Sequence, residues 1–220
     1  MRKRSETIDT DFRSSAVQGT DDATVADVIN AAVRTWVEKG YHGTSVRDLA
    51  AAAGVSVGTL YNHVGSKHDL LVLIMNRVMD GLVTRTEDVL FRAGTDPAER
   101  LRAIVGVHVE AHAARPYESM LGNTELRSLE PAALALVVSK RDAQQRMFDR
   151  VVADGVDRGS FTTTDPVNAS RFVVSACTAV ATWFRPGGSM SAADVVDRYQ
   201  RIALDAVGYR GAVAHQEEKS

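Results

Sequence analysis

The first 96 residues contain no proline, and Gly40, Gly54 and Gly65 fall where helical periodicity stops. That combination restricts the N-terminal part of the chain to helices separated by short turns, because nothing interrupts a helix until a glycine does. Val25, Val28, Ile29, Ala32, Val33, Trp36 and Val37 recur at three- and four-residue spacing, which predicts a helix over Asp22–Lys39 with one apolar face, closed by Gly40. A second helix is expected over Ser45–Ala53. Ser45 stands three residues before Asp48 to cap it, Val46, Leu49, Ala50 and Ala53 point inward, and Gly54 ends it. A third short helix, Val57–Val64, starts from Ser56 and turns Leu60 and Val64 inward. After Gly65-Ser66 a long helix is expected over Lys67–Phe91, with Leu70, Leu71, Ile74, Val78, Leu82 and Val89 in its stripe. At ~1.5 Å per residue it spans roughly 37 Å, enough to link two domains rigidly.

Beyond Asp96 prolines mark helix starts rather than breaks. Pro97 opens a helix to Ala114, Pro116 one to Leu129, Pro131 one to Asp157 and Pro166 one to Phe184; Ser191 caps a last helix to Val207. The expected fold is all-α. A flexible arm covers residues 1–21, a DNA-binding domain residues 22–82, a ligand-binding and dimerisation domain residues 83–209, and a polar tail residues 210–220.

Composition removes several functional classes. The 45% hydrophobic and 25% charged content is that of an ordinary globular protein. The single cysteine, Cys177, allows no internal disulfide and fits a reducing cytoplasm. The uncharged, apolar stretch at residues 172–184 is short of the roughly 20 residues of a membrane span, so no membrane role is expected. No nucleophile–base pair or phosphate-cradling glycine loop stands out, so an enzyme is not expected, nor is a cofactor. Net charge is −2, and residues 1–67 balance eight Lys/Arg against eight Asp/Glu. Bulk charge therefore decides nothing about DNA, and the case rests on local pattern. In the arm, Arg2, Lys3, Arg4 and Arg13 could reach phosphate or a minor groove.

That pattern is two short helices joined by Gly54-Val55-Ser56, a helix-turn-helix. Its apolar residues pack on the first helix and leave the outer face of the third free for a major groove about 12 Å wide.

Four blocks carry a specific resemblance. They are Ala31–Tyr41, Thr44–Ala50, Ala53–Val64 and Ser66–Leu71, in this order and spacing. Together they resemble the TetR family of repressors over residues 22–79. The resemblance implies a homodimer on a palindromic, double-stranded operator, with a helical C-terminal domain that binds a small molecule and releases the DNA. Residue by residue it implies backbone contacts from Thr44, Ser45 and Arg47, and base-edge approach by Gly58 and Thr59. It also implies phosphate contacts from Tyr61, His63 and Lys67. Val57 stands where many relatives carry Lys or Arg, which suggests contact with a thymine methyl instead. Val64 stands where relatives often carry an aromatic residue and serves as a smaller core plug.

The second half is less specific. Its helices can build a bundle around a pocket. Tyr117, Met120 and Arg127 lie in the region that lines effectors in such repressors; Phe148 and Thr178 complete the candidate ligand-binding set, although Phe148 also suits a core position. His108 and His112 share a helix face without a third metal ligand at an obvious spacing, so no metal site is expected, and ordinary buried or surface histidines are the favoured reading. Trp183–Gly188 followed by Ser191–Val195 is similar to family members linked to fatty-acid and sterol breakdown, which implies an acyl-CoA or hydrophobic acid effector. No basic residue lies in Val173–Ala179 to meet a CoA phosphate, Arg171 and Arg185 being the nearest, so a plainer hydrophobic ligand stays open. The last two helices are rich in small residues and suit a four-helix dimer seam. The alternative is a DNA-binding activator or architectural protein without ligand release.

Overall fold

The structure, a computed structural model, describes residues 13–18, 20 and 22–211. Among these residues every regular element is helical. The α-helices are α1 (Ala23–Lys39), α2 (Val46–Ala52), α3 (Val57–His63), α4 (Lys67–Arg92), α5 (Pro97–Ala114), α6 (Pro116–Thr124), α7 (Pro131–Asp157), α8 (Pro166–Trp183) and α9 (Ala192–Ala206). The helix expected over Pro116–Leu129 is shorter than its pattern suggests. It ends at Thr124, and Leu126–Ser128 tightens into a 3-10 turn.

The chain forms two compact units. The first comprises residues up to Gly81 together with Arg115–Ser139; the second comprises Leu82–Ala114 and everything from Lys140. This corrects the expected sequential boundary near residue 82. Leu121, Leu129 and Val137 bury their side chains in the same cluster as α1–α3, so the segment they occupy belongs with the N-terminal unit.

In the first unit local chemistry sets each helix end. Asp22 caps α1, its Oδ1 accepting from the amides of Thr24 and Val25, and Gly40 closes the helix at φ +79°. Ser45 and Asp48 form a reciprocal capping box on α2. Gly54 takes φ +70° in the turn to α3, a conformation that side chains with a Cβ rarely adopt. Ser56 then caps α3, its Oγ accepting from the Thr59 amide at 3.0 Å. Val28, Ile29, Val33, Trp36, Leu49 and Leu60 are almost fully buried together, which fixes α2 and α3 against α1.

The segment ahead of α1 departs from the expected free arm. Ser15–Val17 is a 3-10 turn with Ala16 fully buried. Glu118 of α6, itself buried, explains the docking. It accepts from the Ser14 hydroxyl at 2.6 Å, from the Ser15 hydroxyl at 3.1 Å and from the Ser15 amide. The Ser14 amide donates to Asn30, and Arg77 donates to the Ala16 carbonyl and to Thr20. Three donors on one buried carboxylate compensate its desolvation in a way a tail with few apolar residues could not. Arg13 is exposed, while Arg2, Lys3 and Arg4 fall outside the described residues.

In the second unit α5 lies against both α8 and α9. Its buried residues Leu101, Ile104, Val105 and Val109 meet Phe148, Val151 and Val152 of α7 and Val173, Cys177 and Val180 of α8. Gly155 in α7 is required by packing rather than by backbone angle, because a Cβ there would run into the buried Phe161 ring. Alanine would gain ~1 kcal/mol of helix propensity. A clash of this kind must displace the ring, and such overpacking costs about 1–3 kcal/mol or more. Gly155→Ala is therefore expected to lower stability by a net ~2 kcal/mol in urea denaturation; an unchanged midpoint would show that Phe161 moves freely.

Candidate functional site

The outer face of α3 is open. Val57, Gly58, Tyr61 and Asn62 are exposed while Leu60 and Val64 hold the helix down from the other side. Thr59 is half-buried, with its hydroxyl 2.8 Å from Ser56 Oγ at the helix start. Arg47 on α2 is exposed as well. Asn62 is a member of this face that the sequence pattern does not single out; its place four residues after Gly58 on the same short helix is the one signal that points to it.

The remaining candidates for DNA contact are committed elsewhere to differing degrees. Thr44 is buried, its hydroxyl donating to the Gly40 carbonyl at 2.8 Å. Lys67 turns inward: its Nζ donates to the carbonyls of Tyr41 at 3.0 Å and Thr44 at 2.8 Å and lies 4.3 Å from the centre of the Tyr41 ring. In the free protein these hydrogen bonds occupy the Thr44 hydroxyl and the Lys67 ammonium, the two groups expected to meet the DNA backbone. Both close the α1–α2 loop onto the start of α4, and carbonyls rather than a phosphate offset the lysine's charge at a helix N-terminus. The Ser45 hydroxyl is used in capping, donating to Asp48 at 2.6 Å, and that hydrogen bond is the main reason the Asp48 carboxyl sits below the usual carboxylate range. His63 is exposed with Nδ1 3.3 Å from Asp22, the α1 cap.

The candidate ligand set is divided. Tyr117 and Met120 are both half-buried on α6 and Arg127 is exposed, all three in the first unit, where α6 packs against α1. Phe148 and Thr178 belong to the second unit. Three of the five expected ligand residues thus lie in the first unit, where Glu118 and Leu121 tie α6 to the N-terminal core, and two in the second.

What the second unit does gather is a polar cluster inside an apolar core. The buried His108 and His112 of α5 stack at 4.5 Å between ring centroids. The His108 ring meets Phe148 edge-on at 5.6 Å, and its Nε2 lies 3.0 Å from the Thr178 hydroxyl. One turn before Phe148 on α7, the buried Gln144 donates through Nε2 to Thr86 Oγ1 at 2.9 Å. Two polar atoms here, His108 Nδ1 and Gln144 Oε1, are buried without a hydrogen-bond partner. Burial pushes His108 well below the usual histidine range, with the neighbouring His112 adding to the effect. Burial also lowers His112, aided by the charges of Arg141 and Arg85 and opposed by its hydrogen bond to the His108 carbonyl. Both rings are therefore neutral at pH 7. Cys177, next to Thr178 in sequence, is buried, and burial pushes its thiol up to about 12, so it is an inert part of the core. Among the described residues no group of three or more side chains could hold a metal ion. No helix among them is long and apolar enough to cross a membrane. Of this cluster the sequence pattern points only to Phe148 and Thr178 as ligand contacts; the histidine spacing is visible in it, but reads as ordinary burial.

A glycine-hinged helix pair with an exposed second helix, followed by a separate helical unit, defines a helix-turn-helix DNA-binding regulator. Residues 28–74 match the family described as bacterial regulatory proteins, tetR family, and residues 94–207 match the tetracyclin repressor-like C-terminal domain. The chain belongs to the TetR family of transcriptional regulators. It is similar to the HTH-type transcriptional repressor KstR2 of Mycobacterium tuberculosis, 27% identical over 187 residues that cover 84% of this chain and 93% of that protein. The solved structure of ketosteroid transcriptional regulator KstR2 from the same species matches at a TM-score of 0.80 with 25% identity, covering 88% of this chain and all of that one. A tetR-family regulatory protein from Rhodococcus RHA1 matches at 0.80 with 27% identity, over 86% of this chain and 98% of the other.

Proposed function

We propose that the protein is a repressor that binds a palindromic operator as a homodimer and releases it when a small hydrophobic or acyl-type molecule occupies the second unit. The observation that carries the DNA half is the open α3 face of Val57, Gly58, Tyr61 and Asn62, held rigid by the buried Leu60 and Val64. One such helix reads only a few base pairs, so two copies must sum their contacts. Support for a seam comes from large apolar side chains left exposed on the last helices, Val167, Phe172 and Trp183 on α8 and Ile202 on α9. The reading places its action in the cytoplasm and needs no catalysis. The effector half leans on two relatives. KstR2 is named a ketosteroid regulator, and AibR, 22% identical with a TM-score of 0.72, was solved with isovaleryl coenzyme A and operator DNA. In this chain the candidate effector site is the polar cluster around His108, His112, Gln144 and Thr178. A coupling of about 1–3 kcal/mol between the two sites would lower operator affinity roughly 5–150-fold.

Binding to labelled duplexes tests the reading. Tyr61→Phe is expected to weaken every sequence alike, Arg47→Ala to make the salt dependence shallower by about one unit of slope, and Thr59→Ala to relax choice at one base position. If Thr59→Ala and Arg47→Ala both leave affinity and salt slope unchanged, α3 and α2 do not face DNA. The activator reading has one supporting observation, a 31% match over 126 residues to the HTH-type transcriptional activator FasR of Mycolicibacterium smegmatis. Reporter output with and without the regulator separates the two signs.

A further inference from the structure

We infer that the effector is an uncharged, mostly apolar molecule that presents a hydroxyl group to His108 and Gln144. This deepens the proposed function and rests on it for the claim that the cluster receives a ligand.

Proton ownership within the cluster decides what it can receive. Thr86 Oγ1 donates to the Leu82 carbonyl at 2.9 Å, so its single proton is spent. It can then only accept from Gln144, which fixes the amide with Nε2 toward Thr86 and leaves Oε1 as an acceptor facing nothing. His112 Nδ1 lies 2.8 Å from the His108 carbonyl, which can only accept, so Nδ1 carries the proton and Nε2 of the neutral ring is an acceptor. His108 Nδ1 takes either role, depending on whether Thr178 donates to or accepts from Nε2. The cluster therefore offers one unpartnered acceptor, Gln144 Oε1, and one unpartnered adaptable nitrogen, His108 Nδ1, on two helices that meet at the His108–Phe148 contact.

A carboxylate brings only lone pairs, so although the charges of Arg85 and Arg141 would attract it, it leaves Gln144 Oε1 without a donor. An ammonium group can donate, but the positive charges of Arg85 and Arg141, both felt at His112, disfavour a second cation. Those two arginines have interactions of their own and are not counted as open donors. A hydroxyl donates its one proton to Gln144 Oε1 and accepts from His108 Nδ1 when Thr178 donates to Nε2 and Nδ1 carries the ring proton. The rest of the ligand must be apolar, because Phe148, Val105, Val109 and Val180 make up the buried surroundings. Buried polar atoms left without partners are rare and costly, and one hydroxyl, donating to Gln144 Oε1 and accepting from His108 Nδ1, would satisfy both of those in this interior.

Matched probes decide the point on the full-length protein. Cyclohexylmethanol, cyclohexanecarboxylate and cyclohexylmethylamine share a frame, as do octan-1-ol, octanoate and octylamine, and calorimetry gives each dissociation constant. The alcohol of each series is expected to bind at least about tenfold tighter than its acid and amine. Gln144→Leu and His108→Phe should each erase that preference. Gln144→Leu also removes an unpartnered acceptor while Thr86 keeps its bond to Leu82, so the unliganded variant should melt ~2–4 °C higher, which doubles as proof that it folds. Preference for the acid or the amine, alcohol binding that survives both substitutions, or no binding by any probe (water alone filling the cluster) overturns the inference. Operator binding by the same unliganded preparation keeps the two claims apart. Failure to bind DNA removes the regulator reading, whereas normal DNA binding without alcohol preference removes only this one.

Discussion

Val57→Glu is expected to remove operator binding while leaving the folded protein as stable as its parent. Val57 is the first residue of α3, follows the Ser56 cap and is 36% exposed. A carboxylate at a helix N-terminus meets the positive end of the helix dipole, so the substitution is neutral or worth a few tenths of a kcal/mol in stability. Against DNA the same carboxylate would be pressed among phosphates and acceptor-rich base edges. Like-charge juxtaposition of this kind costs several kcal/mol; ~3 kcal/mol is more than a hundredfold in affinity. Fluorescence anisotropy with a fixed duplex at fixed salt, beside a thermal melt, reads both quantities. A variant that binds within about threefold of the parent would take α3 off the DNA altogether.

The helices are largely legible in the sequence because their ends are set locally. Ser45 with Asp48, Ser191 with Asp194, Gly40 and the prolines at 97, 116, 131 and 166 act within a turn of where they stand, and the observed bounds follow them closely. What pattern cannot give is where polar side chains spend their hydrogen bonds. Lys67 reads as a surface cation until its distance to the carbonyls of Tyr41 and Thr44, more than twenty residues earlier, is known. Ser14 and Ser15 read as tail until Glu118, about a hundred residues later, is brought to them. The assignment of 115–139 to the N-terminal unit has the same origin: Leu121 and Val137 carry no mark of which core they fill. The polar cluster is hidden from the sequence for a related reason. A histidine pair four residues apart says that two rings share a face, but only packing shows that Gln144 and Thr178 arrive in the same interior and that atoms there stay unpartnered.

Phe148→Ala is expected to have the opposite profile to Val57→Glu, with a large loss of stability and no direct effect on the proposed DNA-reading face. Phe148 is fully buried and packs within the second unit's core with Val105, Val109, Val151 and Val180. Truncation of such a ring costs ~3–5 kcal/mol, of which part is lost transfer energy and part the cavity that rigid neighbours cannot close. That is a large share of the roughly 5–15 kcal/mol that holds a typical domain together. The helix-turn-helix is built on the first unit's own cluster, of which Phe148 is not a member, so its core stays intact. The loss falls instead on the unit that supplies α8 and α9, the proposed dimer seam. Operator affinity should therefore weaken through dissociation of the pair, and the deficit should shrink as protein concentration rises, since mass action restores the dimer. With Val57→Glu, concentration changes nothing of the kind, because each dimer lacks a productive reader. A Phe148→Ala protein whose lowered affinity is independent of concentration would show that α8 and α9 do not join the subunits. One whose melting point stays within about 2 °C of the parent would show that its core is looser than the buried ring implies.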